Sequence, residues 1–173
     1  MRRTSHFRTT LTSKVAVALS GLGLVGFVVF HMLGNLQVFE GPDALNGYAA
    51  FLHEMPIVLW TARFGLLTVA VAHVALAIQL ALGNRRARPV AYAVREYRVA
   101  SLASRTMVLT GTLLLFFIVF HVLHLAGGLI DPSSHRQVDE RGRADVFGMV
   151  IQAFHNPLYV AVYCAGQLVL GMH

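Results

Sequence analysis

Charge is scarce in this chain, and so is cysteine. Of its 173 residues only 13% are Asp, Glu, Lys or Arg, while 56% are hydrophobic and the mean hydropathy is +0.63. That composition excludes an ordinary water-soluble domain and indicates a polytopic membrane protein. The single cysteine, Cys164, excludes an intrachain disulfide and the C-x-x-C-H attachment of a c-type haem. Residues 40–56 contain no lysine or arginine, which marks them as an outer segment. The formal charge of +6 comes from arginines gathered beside apolar runs. The excess is therefore topological, and nucleic acid is not an expected partner.

Four apolar runs are present, at residues 15–39, 57–82, 107–130 and 157–173. The first follows a basic tail with Arg2, Arg3, Arg8 and Lys14 and no acid. At about 25 residues it is too long for the core of a secretory signal and reads as a retained span. Residues 83–106 carry Arg85, Arg86, Arg88, Arg95, Arg98 and Arg105 against one acid, Glu96, so the tail and this segment share the cytoplasmic side. Residues 131–152 mix Asp131, Asp139, Glu140 and Asp145 with Arg136, Arg141 and Arg143, as an outer loop does, and 145–154 has the pattern of an interfacial helix. The expected fold is an all-α membrane protein, an antiparallel transmembrane helical bundle in one domain over 1–173, in an inner (cytoplasmic) membrane. The fourth run, of about 16 residues, is short of the roughly 20 a bilayer needs. It is still apolar at His173, so a longer parent chain is expected to finish it and to add a fifth span.

Two motif matches are decoys. Gly21-x-Gly23-x-x-Gly26 fits a dinucleotide fingerprint by letter, but no strand precedes it and no acid follows at the required distance. Small residues inside a span instead let a helix or a flat cofactor approach the backbone. His53-Glu54 begins a zinc-protease motif, but Pro56 and Ile57 follow where the second histidine would have to come. Trp60 marks the outer end of the second run, and Arg63 beside it must either snorkel or meet an anion.

Each apolar run carries a histidine towards its C-terminal end: His31, His73, His121 and His173. At about 1.5 Å per residue, His31 and His121 lie roughly 24 and 21 Å from the inner starts of their spans. His73 and His173 each lie roughly 24 Å from an outer start. Two levels result, separated by roughly 15 Å along the membrane normal. An imidazole in hydrocarbon needs a partner, and two opposed imidazoles are what a six-coordinate porphyrin iron takes. The expectation is two haems b, one held by His31 and His121, the other by His73 and His173. His124 is three residues from His121 on the same face, and its depth fits nearly as well; it is open to a propionate or a quinone. Arg63, Ser104 and Arg105, with Ser20 and Lys14, are further candidates for propionate or quinone contacts, although capping or snorkelling explains each equally well. His155 reads as interfacial, and His6, His53 and His135 as solvated. Phe116, Phe117 and Phe120 read as packing residues.

The order of these features resembles the membrane cytochrome b subunit of succinate dehydrogenase and fumarate reductase, in its single-anchor, two-haem branch. The matching stretches are FHMLGNLQVF at His31, DALNGYAAFLHEMPIVLWTARFGLL leading to AHVALAIQL at His73, SRTMVLTGTLLLFFIVFHVLHL at His121, and GQLVLGMH at the end. The resemblance implies one haem ligand from each span, paired first with third and second with fourth, with His121 as the ligand of the third. It implies a chain that is not itself catalytic for succinate. Such a chain anchors a flavoprotein and an iron–sulfur subunit on the cytoplasmic face and passes electrons to menaquinone or another quinone. Two other readings stand beside it: a haem-free anchor whose histidines bond helix to helix, and the dihaem cytochrome b of another respiratory enzyme such as a formate dehydrogenase or a hydrogenase.

Overall fold

The computed structural model describes residues 3–87 and 101–173, with side chains from Leu11 onward in the first helix. Arg88, Arg95, Glu96 and Arg98 of the basic inner segment lie outside the described residues, as do the side chains of Arg2, Arg3, His6 and Arg8. Among the described residues there is no strand. Seven α-helices follow one another: α1 (Arg3–Asn35), α2 (Pro42–His53), α3 (Pro56–Arg86), α4 (Leu102–His121), α5 (Pro132–His135), α6 (Val146–Phe154) and α7 (Pro157–Met172). A 3-10 turn over Leu36–Glu40 continues α1, and a π turn over Val122–Ala126 continues α4.

Three stretches, Leu11–Glu40, Pro56–Arg86 and Leu102–Ala126, are long and apolar enough to cross a membrane. The chain is a multi-pass membrane protein with a helical bundle. The fourth predicted span forms α7, whose 16 residues leave it shorter than the other three. Local chemistry sets the boundaries. Pro56 and Pro157 sit in the first turns of α3 and α7, where a missing N–H costs nothing. Ser101, accepting from the Ser104 N–H at 3.2 Å, starts α4 five residues before the apolar run. The third span was expected to reach Ile130, but it ends at Ala126, ahead of Gly128, whose φ of +59° breaks the helix.

The described residues form two compact units. One holds α1 and α3; the other holds Gln37–Phe51 with α4 to α7. In the second unit α4 and α7 run antiparallel, since Thr110 meets His173 at one end and Phe120 meets Tyr159 at the other. Their close approach depends on Gly166, because a Cβ there would collide with the Phe117 ring.

Residues 40–56 hold more structure than their polar composition indicates. They stand out in sequence only as a polar segment without lysine or arginine, yet they contain α2, which Gly41 (φ +101°) and Pro42 initiate. Asn46 on α2 is 1% exposed. Its amide donates to Asp145 at 3.0 Å and Asp139 at 3.3 Å, while its oxygen accepts the Phe147 N–H at 2.8 Å. Asp145 in turn caps α6 through the Gly148 N–H, so the interfacial helix expected over 145–154 forms one residue later, at Val146. Arg143 ties Asp139 (2.7 Å) to Asp43 (2.9 Å), and Arg141 adds a bond to Asp43 at 2.8 Å.

This clasp is acid-labile with a defined sign. Burial pushes the Asp139 carboxyl up, but hydrogen bonds from the Arg143 side chain, from the Arg143 and Arg141 N–H groups and from Asn46 outweigh it and hold it at about 2. A depressed carboxyl contributes stability that is fully present above its ordinary value of 3.8 and is lost as pH falls through about 2. Protection of residues 136–146 from pepsin should therefore be full above about pH 4, weaken through about pH 3 and be lost by about pH 2, and Asp139→Asn should abolish that dependence. Unchanged protection down to pH 1.5 would refute it.

Candidate functional site

An imidazole placed in a membrane span must satisfy its ring N–H locally, because no water is at hand to do so. The four predicted histidines meet that requirement in different ways. In the first unit, Nδ1 of His73 on α3 lies 3.1 Å from Ser20 Oγ on α1. Ser20 Oγ also lies 2.8 Å from Ala16 O and 3.0 Å from Val17 O. Both interactions form together only if the hydroxyl proton goes to the carbonyl and the imidazole donates from Nδ1. We therefore assign His73 the Nδ1–H tautomer, with its lone pair on Nε2.

The second unit repeats the arrangement. Nδ1 of His173, following α7, lies 2.9 Å from Thr110 Oγ1 on α4, and that oxygen is 3.2 Å from both Thr106 O and Met107 O. The same reasoning assigns His173 the Nδ1–H tautomer. A glycine follows each hydroxyl residue and receives the ring: a Cβ on Gly21 would stand 3.3 Å from His73 Cε1, and one on Gly111 3.0 Å from His173 Cε1. In the false dinucleotide motif the close approach occurs at Gly21 alone, since a Cβ on Gly23 or Gly26 would meet nothing within 4 Å.

His121 and His124 share one partner. Their Nδ1 atoms lie 3.3 and 3.2 Å from the hydroxyl of Tyr163 on α7. A phenol has one proton to give, so the two rings cannot both be acceptors; where one accepts, the other donates from Nδ1. The π turn sets His124 inward at 2% exposure, with its ring 4.3 Å from that of Tyr159. Phe117 packs edge-on to Tyr163 at 5.5 Å, and Phe120 lies 5.9 Å from it, which is the packing role expected of them. Phe116 stands exposed. His31 lies in the first unit, stacked on Phe27 at 5.3 Å and beside the Asn35 amide at 3.3–3.4 Å from its ring nitrogens.

The weaker candidates have local partners. The Arg63 guanidinium lies 5.0 Å over the Trp60 ring, one turn towards the N-terminal end of α3. Ser104 belongs to the first turn of α4, where its hydroxyl donates to Ser101 O at 2.9 Å. Arg105, one residue on, stands exposed, and so does Lys14 on α1. His155 donates from Nδ1 to Ile151 O at 2.7 Å, and His53 is exposed. His135 contacts the Met149 sulfur at 3.4 Å.

Of the four histidines, His73 and His173 have the donor pattern that a porphyrin iron takes. An axial imidazole binds through Nε2 and is oriented by a hydrogen bond at Nδ1, which is what the hydroxyls of Ser20 and Thr110 provide. Among the described residues no three His, Cys, Asp or Glu side chains gather as a metal cluster, and a haem needs only two imidazoles. Sequence reasoning missed Thr110 and Tyr163. Thr110 was detectable, because Ser20-Gly21 precedes Phe30-His31 by the same spacing as Thr110-Gly111 precedes Phe120-His121. Comparison with protein-family models, with curated proteins and with solved structures finds no match to this chain.

Tyr163→Phe leaves two imidazoles of the second unit without their shared hydroxyl. It should destabilise the haem-free chain by about 1–3 kcal/mol, read as a lowered thermal midpoint in detergent. Phe154→Leu, which keeps the hydroxyl but alters a ring packed 5.0 Å from Tyr163, should cost less. The reverse ranking would remove the hydroxyl from its assigned role.

Proposed function

We propose that this chain is the membrane cytochrome b subunit of a succinate:quinone oxidoreductase or fumarate reductase. In this reading it anchors a flavoprotein and an iron–sulfur subunit and passes electrons between the iron–sulfur subunit and a quinone. The observation that carries the reading is the pair of matched hydrogen bonds, Ser20 to His73 and Thr110 to His173. Each lies in an apolar helix and fixes the tautomer of an axial ligand. The resemblance of the stretches around His31, His73, His121 and His173 adds the subunit type and the partners.

Haem b, when bound, supplies one-electron transfer at its iron. The chain's own residues do the rest. His31 with His121, and His73 with His173, would hold the two haems; for His73 and His173 the hydrogen bond at Nδ1 would leave Nε2 to the iron. Gly21 and Gly111 let the inner rings lie against the helix backbone. The apolar faces around these rings exclude water, which favours transfer of electrons over reaction with solvent. The N-terminus lies in the cytoplasm beside the basic segments, where the soluble subunits dock, and the membrane is the inner (cytoplasmic) one. Arg63, Ser104, Arg105 and His124 remain the candidates for propionate or quinone contacts.

A haem-free anchor is favoured by the same observation read differently, since a hydroxyl–imidazole bond also glues two helices. A reduced-minus-oxidised spectrum separates the two. Low-spin b-type bands from the purified chain are the expected result, and flat absorbance leaves only the anchor. Co-purification with a molybdenum or nickel enzyme in place of a flavoprotein would transfer the cytochrome to a different complex. His31→Ala and His73→Ala should each remove one haem, and different ones; loss of the same spectral component in both would overturn the pairing.

A further inference from the structure

We infer that Ser20 and Thr110 are matched positioning residues that tune the redox potential of one and the same haem, the one assigned to His73 and His173; this rests on the haem reading above. Three observations converge. The first is chemical: each hydroxyl holds the Nδ1 of its imidazole, at 3.1 Å for Ser20 and 2.9 Å for Thr110, while its own proton is committed to a backbone carbonyl. An imidazole that donates from Nδ1 is a stronger electron donor at Nε2, and a stronger axial donor favours ferric over ferrous iron.

The second is steric. Gly21 and Gly111 follow the two hydroxyls and form notches against which Cε1 of His73 and of His173 rests, so ring and hydroxyl are fixed together. The third is periodicity. Ser20 precedes His31, and Thr110 precedes His121, by the same interval in the sequence, S/T-G-x9-H. Eleven residues make about three full turns at 3.6 per turn, so hydroxyl and histidine share one face of their helix, about 16 Å apart. That rise matches the roughly 15 Å between the two histidine levels. Each of α1 and α4 therefore carries, on one face, a proposed ligand of its own and, about three turns before it, a hydroxyl for another helix's ligand.

The test is a spectroelectrochemical titration of the full chain carrying its haems. Ser20→Ala and Thr110→Ala should each raise the midpoint of the same component. At fixed potential its oxidised-to-reduced ratio should fall by about fivefold, the equivalent of one hydrogen bond. The other component should stay in place, and Ser20→Thr and Thr110→Ser should restore the wild-type value. If an alanine variant loses the haem, the cysteine variant, whose thiol is a weaker acceptor, should show a smaller shift of the same sign. Haem present with no shift, shifts in different components, or equal shifts in both overturn the inference and leave the haem reading intact. A wild-type chain without b-type bands overturns both.

Discussion

An imidazole nitrogen cannot be left unpaired in hydrocarbon, and that one constraint organises most of what is specific about this chain. Helix-forming residues and lipid supply the spans with little help from the details of the sequence. Most large apolar side chains of α1 and α3 are exposed, as lipid-facing positions are. What the histidines require is narrower: a hydroxyl or phenol at the right depth, and room beside it. Ser20 with Gly21 meets that need for His73, Thr110 with Gly111 for His173, and Tyr163 for His121 and His124.

The same constraint ties fold to chemistry. A hydroxyl that spends its proton on its own helix backbone can only accept, so it dictates which ring nitrogen is protonated. The tautomer that results is the one an iron ligand needs. In the haem reading proposed above, the bonds that pack the helices are also the bonds that would prepare the ligands. In the second unit this is visible along the whole α4–α7 contact, from Thr110 and His173 through Phe117 and Gly166 to Phe120 and Tyr159.

Much of the fold was legible because a membrane enforces simple rules. Apolar run length located the long helices and put the start of the fourth run at Pro157, where α7 begins. The failures share a cause. The helix α2 and the clasp of Asn46, Asp139, Asp145 and Arg143 were hidden because their order comes from polar side chains meeting across about 100 residues of chain, which no local pattern records. The end of the third span was misplaced because leucine and isoleucine continue past Gly128, and a backbone angle, not hydropathy, ends the helix there. Within the candidate site the histidines announced themselves by position and Thr110 left a trace in its spacing, whereas Tyr163 became visible only as a neighbour of His121 and His124.

The shared interval from hydroxyl to histidine on α1 and α4 also has a genetic consequence. Between Ser20 and His31, or Thr110 and His121, the exposed apolar side chains can replace one another while Gly21, Gly111, Phe117 and Phe120 stay, but the number of residues cannot change. One codon gained or lost would swing the histidine about 100° around the helix axis and out of line with its hydroxyl. Their lipid-facing positions should drift in letter while the stretches stay frozen in length.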